Sequence, residues 1–195
     1  MKNNLQIFSL ISAIILFLPK AVFAHVGNME TTSFGSGFMH PIQGMDHFLA
    51  MFAVGLWAAQ MGGGALWKVP SVFVLLMIFG GALAISGFYV PYVEEGILVS
   101  VLVLGIMIAA SLKLPMVISA FIVGLFAVFH GYAHGAEMPL AMRAVQYSLG
   151  FALGTAVLHM AGIAGGIMLS KTNTERVIRY AGGAIACGGI FLVFA

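Results

Sequence analysis

The chain has 195 residues, of which 62% are hydrophobic and only 7% are Asp, Glu, Lys or Arg. Soluble domains contain about 25% charged residues, so this composition excludes an ordinary soluble protein and predicts an all-α integral membrane protein. The net charge of +2 comes from basic residues that are scattered between apolar segments rather than gathered in a patch. This pattern excludes nucleic acid as a partner.

Residues 1–24 have the pattern of a cleaved signal peptide. A basic start precedes an apolar run at 7–18, and the small residues Val22 and Ala24 occupy the positions that a signal peptidase reads. The alternative is an uncleaved first helix, but this run is shorter than the ~20 residues that cross a bilayer. Cleavage after Ala24 would make His25 the mature N-terminus, where its α-amino group and imidazole form a candidate chelating pair for a metal ion.

Residues 25–195 are predicted to form a single domain, a bundle of about six transmembrane helices. Gly, Pro and charged residues separate the apolar spans. The predicted spans are Phe38–Ala59, Val69–Tyr89, Ile97–Leu112, Pro115–Tyr132, Pro139–Leu169 and Thr174–Phe194. The fifth would be about 46 Å long as a helix, so we expect it to tilt, to kink or to begin along the interface, with Arg143 in its first turns.

The basic residues of the short loops predict the orientation. One set of alternate loops contains Lys68, Lys113, Lys171, Arg176 and Arg179. The intervening loops contain glutamates and, apart from Arg143, no basic residue. The positive-inside rule then places both termini outside the cytoplasm, and a cleaved signal peptide requires the same for the N-terminus. We expect a multi-pass protein of the bacterial cytoplasmic (inner) membrane.

The first span begins with the motif HPIQGMDH, which contains His40, Asp46 and His47. On an unbroken helix the two histidines share a face but stand about 10.5 Å apart, too far to bind one ion directly. The helix could start at Pro41 with His40 folded back, or Gly44 could interrupt the helix and bring the three side chains together. Otherwise the motif holds two successive ion positions.

The fourth span ends with the motif FHGYAHGAE. On a helix His130, His134 and Glu137 form one stripe, and an i, i+4 histidine pair is a common metal clamp. Gly131 and Gly135 leave room beside the histidines for a neighbouring helix or an ion. Any one histidine could simply be hydrogen-bonded in the interior. Because titratable groups are costly inside a bilayer, their concentration in two motifs near the outer face favours a shared metal site.

The fifth span contains a lone histidine and four spaced glycines. His159 lies near its middle, as a second ion position along a permeation path or as a histidine hydrogen-bonded to a facing carbonyl group; both interpretations stay open. Gly150 and Gly154, with Gly162 and Gly166, predict helix-packing faces within the bundle rather than a dimer interface.

The types of ligand narrow the choice of ion. Imidazole and carboxylate without thiolate suit Ni, Co, Zn or Cu(II) better than Mg or Ca. The 13 methionines are spread through all spans, which favours core packing over a copper(I) thioether pathway. The single cysteine, Cys187, is also interpreted as packing.

Several segments resemble the HupE/UreJ family of nickel and, in some members, cobalt permeases and metalloenzyme accessory proteins. They are a histidine just after the signal peptide, HPIQGMDHFLAMFAVGLWAAQ in the first span, FHGYAHGAE in the fourth and LHMAG in the fifth. The resemblance covers essentially the whole mature chain. It implies a small secondary transporter that supplies nickel to urease or hydrogenase maturation. Its metal-binding positions would be His40, Asp46, His47, His130, His134 and Glu137.

We therefore predict a permease, not an enzyme, with no catalytic residue and no prosthetic group. Ni²⁺ or Co²⁺ would be the transported substrate, captured at the two motifs, with His25 at the entrance and His159 further inward. The chain contains no P-loop for ATP hydrolysis. Expected partners are the ion, the lipid bilayer and periplasmic or cytoplasmic metal carriers; the choice of ion, the coupling mode and the oligomeric state stay open.

Two alternatives belong to other functional classes. In an intramembrane zinc hydrolase, Asp46, His130, His134 and one more histidine would hold the metal, with Glu137 as general base. In a metal-binding accessory or sensor protein, the same residues would bind an ion without transmembrane flux.

Overall fold

The structure, a computed structural model, describes residues 33–138, 143–171 and 175–194. Within these ranges the regular elements are seven α-helices. They are α1 Ser33–Gln43, α2 Met45–Met61, α3 Ala65–Ile85, α4 Val93–Ala109, α5 Met116–Glu137, α6 Ala144–Lys171 and α7 Glu175–Phe194. The predicted signal peptide and His25 lie outside the described residues, so both stay predictions.

In the described part of the chain, four helices are long and apolar enough to cross a membrane: α3, α5, α6 and α7. Helices α2 and α4 have 17 residues each, at the lower end of the length that spans a bilayer. The regular elements of the described residues are all helical and apolar, as expected of the membrane protein that the composition predicts. The count of six spans and the orientation of the termini stay predictions.

The first predicted span consists of two helices. The break between α1 and α2 is at Gly44, whose backbone is extended with φ −77° and ψ 119°. Pro41 lies inside α1 rather than at a helix start, so the interruption at Gly44 is the correct one of the two interpretations. The Gly44 carbonyl still accepts the N–H of Phe48 at 2.8 Å, and its own N–H reaches the His40 carbonyl at 3.3 Å. The backbone leaves helical geometry at Gly44 while these two helical hydrogen bonds persist.

Other boundaries also differ from the prediction. Helix α5 continues to Glu137, five residues past the predicted end of the fourth span, so the whole second motif is helical. Helix α4 begins at Val93, because the glutamates at 94 and 95 form its first turn. Helix α6 begins at Ala144, so Arg143 precedes it instead of lying in its first turns. The N–H of Arg143 donates to the Ser33 hydroxyl at 3.2 Å.

Helix α2 is the centre of the bundle. It packs against α1, α3, α4, α6 and α7, and residues 53–58 are all buried. Its core partners include Phe73 of α3 and Leu104 of α4. A helix that is apolar all round is expected to be enclosed by other helices. The N-terminal end of α2, which contains Asp46 and His47, is thereby held inside the bundle.

Glycines allow the helices around α2 to approach closely. A Cβ atom at Gly150 of α6 would overlap the Phe34 carbonyl oxygen of α1, and one at Gly162 would overlap the Phe52 carbonyl oxygen of α2. Gly154 and Gly166 of the same helix lie against α1 and α2 in the same way. The prediction that these glycines form packing faces within the bundle is confirmed. The close contacts fix α6 against both helices of the first motif.

Candidate metal site

Four histidine rings from three helices meet at one end of the bundle. His40 comes from α1, His47 from α2, and His130 and His134 from α5. The ring of His134 has its centroid 4.6 Å from that of His40 and 4.3 Å from that of His47. His47 and His130 are 5.2 Å apart by the same measure. These four side chains, termed the histidine cluster below, unite the two motifs; metal binding by them stays a prediction.

The break at Gly44 makes this cluster geometrically feasible. On an unbroken helix His40 and His47 would be separated by about 10.5 Å along the axis. In the structure their ring centroids are 6.3 Å apart, with the ring planes at 84°. Both rings lie beside the ring of His134, so the two histidines of the first motif belong to one cluster of side chains.

Among the described residues, atoms of His40, His134 and Glu137 that could bind a metal ion lie close together. One ligand atom from each lies within 4.8 Å of the other two. Glu137 Oε2 is 4.0 Å from both His40 Nε2 and His134 Nδ1. Ligands of one tetrahedral ion at ~2.1 Å lie about 3.4 Å apart, so a small inward movement would suffice. The Glu137 side chain is 57% exposed and that of His134 only 3%, so this set connects the surface with the interior.

Asp46 pairs with His47 and is not among these three ligands. Its Oδ1 accepts the backbone N–H of His47 at 2.8 Å and lies 2.6 Å from the ring Nδ1 of the same residue. A carboxylate that accepts Nδ1–H holds the proton on that nitrogen and leaves the lone pair on Nε2. The geometry is that of a carboxylate that orients a metal-binding histidine and adds negative charge to the cluster.

His130 is oriented in a similar way by the backbone. Its Nδ1 donates to the Phe126 carbonyl oxygen at 2.9 Å, one turn earlier on α5. Its Nε2 atom, like Nε2 of His47 and both ring nitrogens of His134, is buried without a hydrogen-bond partner among the described residues. An unpaired buried polar atom costs about 1–3 kcal/mol. This concentration of unpaired nitrogens is the strongest structural indication that the cluster binds something.

His159 lies on α6, 1% exposed, deeper in the bundle than the cluster. Both of its ring nitrogens lack a hydrogen-bond partner in the described ranges, so no bond to a facing carbonyl group is seen there. The ring of Phe73 packs on both His159 and the cluster, with its centroid 5.0 Å from that of His159 and 5.6 Å from that of His130. His159 thus shares one aromatic neighbour with the cluster.

Helix α6 adds two residues that the motifs do not contain. The Tyr147 hydroxyl is 3.0 Å from Nδ1 of His40, and the Phe151 ring centroid is 4.0 Å from that of His134. Together with Phe73 they form an aromatic wall around the histidines. No sequence pattern distinguishes these positions, because the chain has 16 Phe and 5 Tyr residues spread along it.

The glycines of the second motif face a helix rather than the cluster. A Cβ atom at Gly131 would overlap the Met77 carbonyl oxygen of α3, and one at Gly135 would lie 2.6 Å from the Gly81 carbonyl oxygen. A crevice of about 140 Å³ between α3, α5 and α6 reaches His134. A water molecule occupies about 30 Å³ in the liquid, so there is room for only a few beside the cluster.

Comparison with known proteins gives two matches that cover most of the chain. The family model described as HupE / UreJ protein matches residues 13–192, which include all the histidines of the site. Protein HupE of Rhizobium leguminosarum bv. viciae is 42% identical over 178 residues, 91% of this chain and 93% of that protein. No solved structure matches the chain. The match spans both motifs and the helices that bring them together, and the chain therefore belongs to the HupE/UreJ family.

Proposed function

We propose that this protein is a secondary transporter that moves a divalent transition-metal ion, Ni²⁺ or Co²⁺, across the bacterial cytoplasmic membrane for the maturation of hydrogenase or urease. The observation that supports it best is the histidine cluster, where three buried imidazoles have unpaired nitrogens inside a membrane bundle. Imidazole with carboxylate suits these ions. Membership of the HupE/UreJ family supports nickel or cobalt among the ions that such ligands accept.

Capture begins at Glu137, the most exposed member of the site. Its carboxylate attracts a hydrated dication, and His40 and His134, each with a nitrogen 4.0 Å from it, replace some of the bound water. His25 is proposed as a further ligand at the entrance. Exchange of water for imidazole removes the ion from solvent gradually, which avoids the full cost of dehydration in one step.

The ion then passes to His47 and His130. Asp46 keeps Nε2 of His47 available, as the Phe126 carbonyl does for His130. Inward movement continues past Phe73 to His159. Two charges moving through 100 mV toward a negative interior gain about 4.6 kcal/mol, which supports a concentration ratio on the order of a thousandfold. The ligands must stay few at each position, because a complete coordination shell would prevent release.

We propose no enzymatic role for the cluster. Pockets for organic substrates usually have volumes of about 300–1,000 Å³, whereas the crevice at His134 has about 140 Å³. Phe73 and Phe151 pack directly on the histidine rings and leave little space for a substrate of a hydrolase. A binding protein without flux has the same ligands, so flux itself is the discriminating measurement.

The test is uptake of radioactive nickel and cobalt into vesicles that contain the purified chain. We expect His134→Ala to reduce uptake at least about a hundredfold, because the residue links the surface ligands to the buried ones and each lost ligand costs several kcal/mol. Val117→Ala, on the outer face of the same helix and 81% exposed, should transport like the wild type. Bound nickel without uptake by the wild type would indicate a sensor or an accessory protein.

A further inference from the structure

Deeper in the bundle, three helices direct one polar atom each toward a common point. The Thr155 hydroxyl of α6 lies 3.2 Å from the sulfur of Met51 on α2 and 3.6 Å from the sulfur of Met77 on α3. All three side chains are at most 2% exposed. His159, with its two unpaired ring nitrogens, is one turn further along α6.

Ordinary core packing does not account for this arrangement. A buried threonine in a helix commonly donates to a backbone carbonyl group one turn earlier, which is a stronger acceptor than a thioether. The Thr155 hydroxyl instead faces two sulfurs from two other helices. Methionine is flexible enough to present either its methyl group or its sulfur to a neighbour, and here both methionines present sulfur.

The group continues the stripes that form the histidine cluster. Met51 is four residues after His47 on α2, and Met77 is four residues after Phe73 on α3. Residues four apart on a helix lie on the same face. Met77 also lines the crevice that reaches His134. The backbone of Met77 packs beside Gly131 at the level of the cluster. Its sulfur and that of Met51 meet at the Thr155 hydroxyl, one turn after Phe151 on α6.

Helix α6 contributes a third stripe. Phe151 packs on His134, Thr155 follows it by four residues, and His159 follows Thr155 by four more. The ring of Phe73 also packs on His159, with the two centroids 5.0 Å apart. The donor atoms of this group are neutral: two thioethers, one hydroxyl and one imidazole.

We propose that Met51, Met77, Thr155 and His159 form a second, interior metal position, the thioether station, which accepts a partly dehydrated late transition-metal ion and rejects hard cations. The proposal rests on the transport function, since it assigns an inner step of the same path. Thioether sulfur prefers soft and borderline ions, whereas Mg²⁺ binds oxygen and gives up water reluctantly. A site without carboxylate binds a dication weakly, which permits onward release.

The first measurement is X-ray absorption at the nickel edge on the full-length Cys187→Ala protein loaded with Ni²⁺. Removing Cys187 eliminates the one thiol, so a sulfur shell can come only from methionine. We expect a sulfur shell in this protein and its loss in the additional variant Met51→Leu/Met77→Leu, because leucine preserves volume and removes sulfur. Met107→Leu, which alters a buried methionine of α4, should keep the shell.

The second measurement is nickel uptake in vesicles with Mg²⁺ in excess. We expect the double leucine variant to take up nickel about tenfold more slowly than the wild type, equivalent to ~1.4 kcal/mol, and Met107→Leu to match the wild type. If the double variant fails to insert, each single variant is expected to reduce the sulfur shell. A shell of nitrogen and oxygen only in the Cys187→Ala protein would overturn the station, even with normal uptake. If the wild type shows no uptake although the Cys187→Ala protein has a sulfur shell, the transport function is wrong and the thioether station is retained.

Discussion

Polar side chains are mostly hydrogen-bonded at one end of α2 and mostly unpaired at the other. At the C-terminal end, the indole N–H of Trp57 donates to the Leu112 carbonyl at 2.8 Å, and the Gln60 amide donates to Ile108 and Ser111 at 3.1 and 3.0 Å. At the N-terminal end, the histidine cluster leaves several buried nitrogens unpaired. Apart from Oε1 of Gln60, the polar atoms at the first end stabilise the bundle, whereas those at the second end are available to a ligand.

This contrast separates structural from functional polarity inside a membrane protein. Buried polar groups that only stabilise a fold are normally paired, because an unpaired one is costly. A transport site must keep unpaired lone pairs to replace the hydration shell of an ion. Variants at the cluster end should therefore change metal affinity and uptake. Variants at the other end should change the free energy of unfolding.

The largest effect in this comparison is expected for Asp46→Asn. The amide has nearly the same shape, but it loses the negative charge and can accept Nδ1–H of His47 only through a weaker, neutral oxygen. Loss of such an outer partner typically lowers metal affinity about 10–100-fold. Calorimetric titration of the purified chain with Ni²⁺ measures this loss. Unchanged affinity would mean that the Asp46–His47 pair only stabilises the fold.

Glu137→Gln should have the next largest effect, about tenfold, and mainly at low ion concentration. The carboxylate is exposed and acts in capture, so the concentration for half-maximal uptake should rise while the maximal rate changes little. Glu175→Gln, an exposed carboxylate in the first turn of α7, is the matched control and should transport like the wild type. A lower maximal rate with unchanged half-saturation would place Glu137 in a later step.

Gly44→Ala should lower nickel uptake a few-fold. The backbone at Gly44 is allowed for alanine, but the added Cβ would lie 3.0 Å from Oδ1 of Asp46 and 3.1 Å from Nδ1 of His47. It would therefore disturb the pair that orients the ring. Uptake by Gly165→Ala, where a Cβ meets only a ring atom at 3.9 Å, provides the control. Equal uptake by both variants would show that the pair tolerates such a displacement.

Trp57→Phe tests the structural end and should have the smallest effect on transport. It removes one hydrogen bond to the Leu112 carbonyl and part of a fully buried ring, and should lower the free energy of unfolding by about 1–3 kcal/mol. Thermal unfolding in detergent should detect the loss, while nickel affinity stays that of the wild type. A large fall in affinity with unchanged stability would contradict the division between the two ends of α2.

The sequence alone predicts the membrane class, because a bilayer requires long apolar helices and excludes charge from them. It also identifies both motifs, since histidine and carboxylate are conspicuous in such a chain. The predicted helix boundaries are less accurate at the C-terminal end of α5 and the N-terminal end of α6. Near the interface polar and apolar residues mix, so the local pattern no longer marks where a helix stops.

Only the tertiary structure decided how the site is assembled. Gly44, not Pro41, redirects the first motif, because packing of α1 and α2 against α6 determines where the chain bends. The tertiary structure also selected Tyr147 and Phe73 from many aromatic residues of the same type. Composition and spacing fix which ligands the chain possesses. Which of them share a space depends on contacts between helices distant in sequence, and these contacts have no local signature.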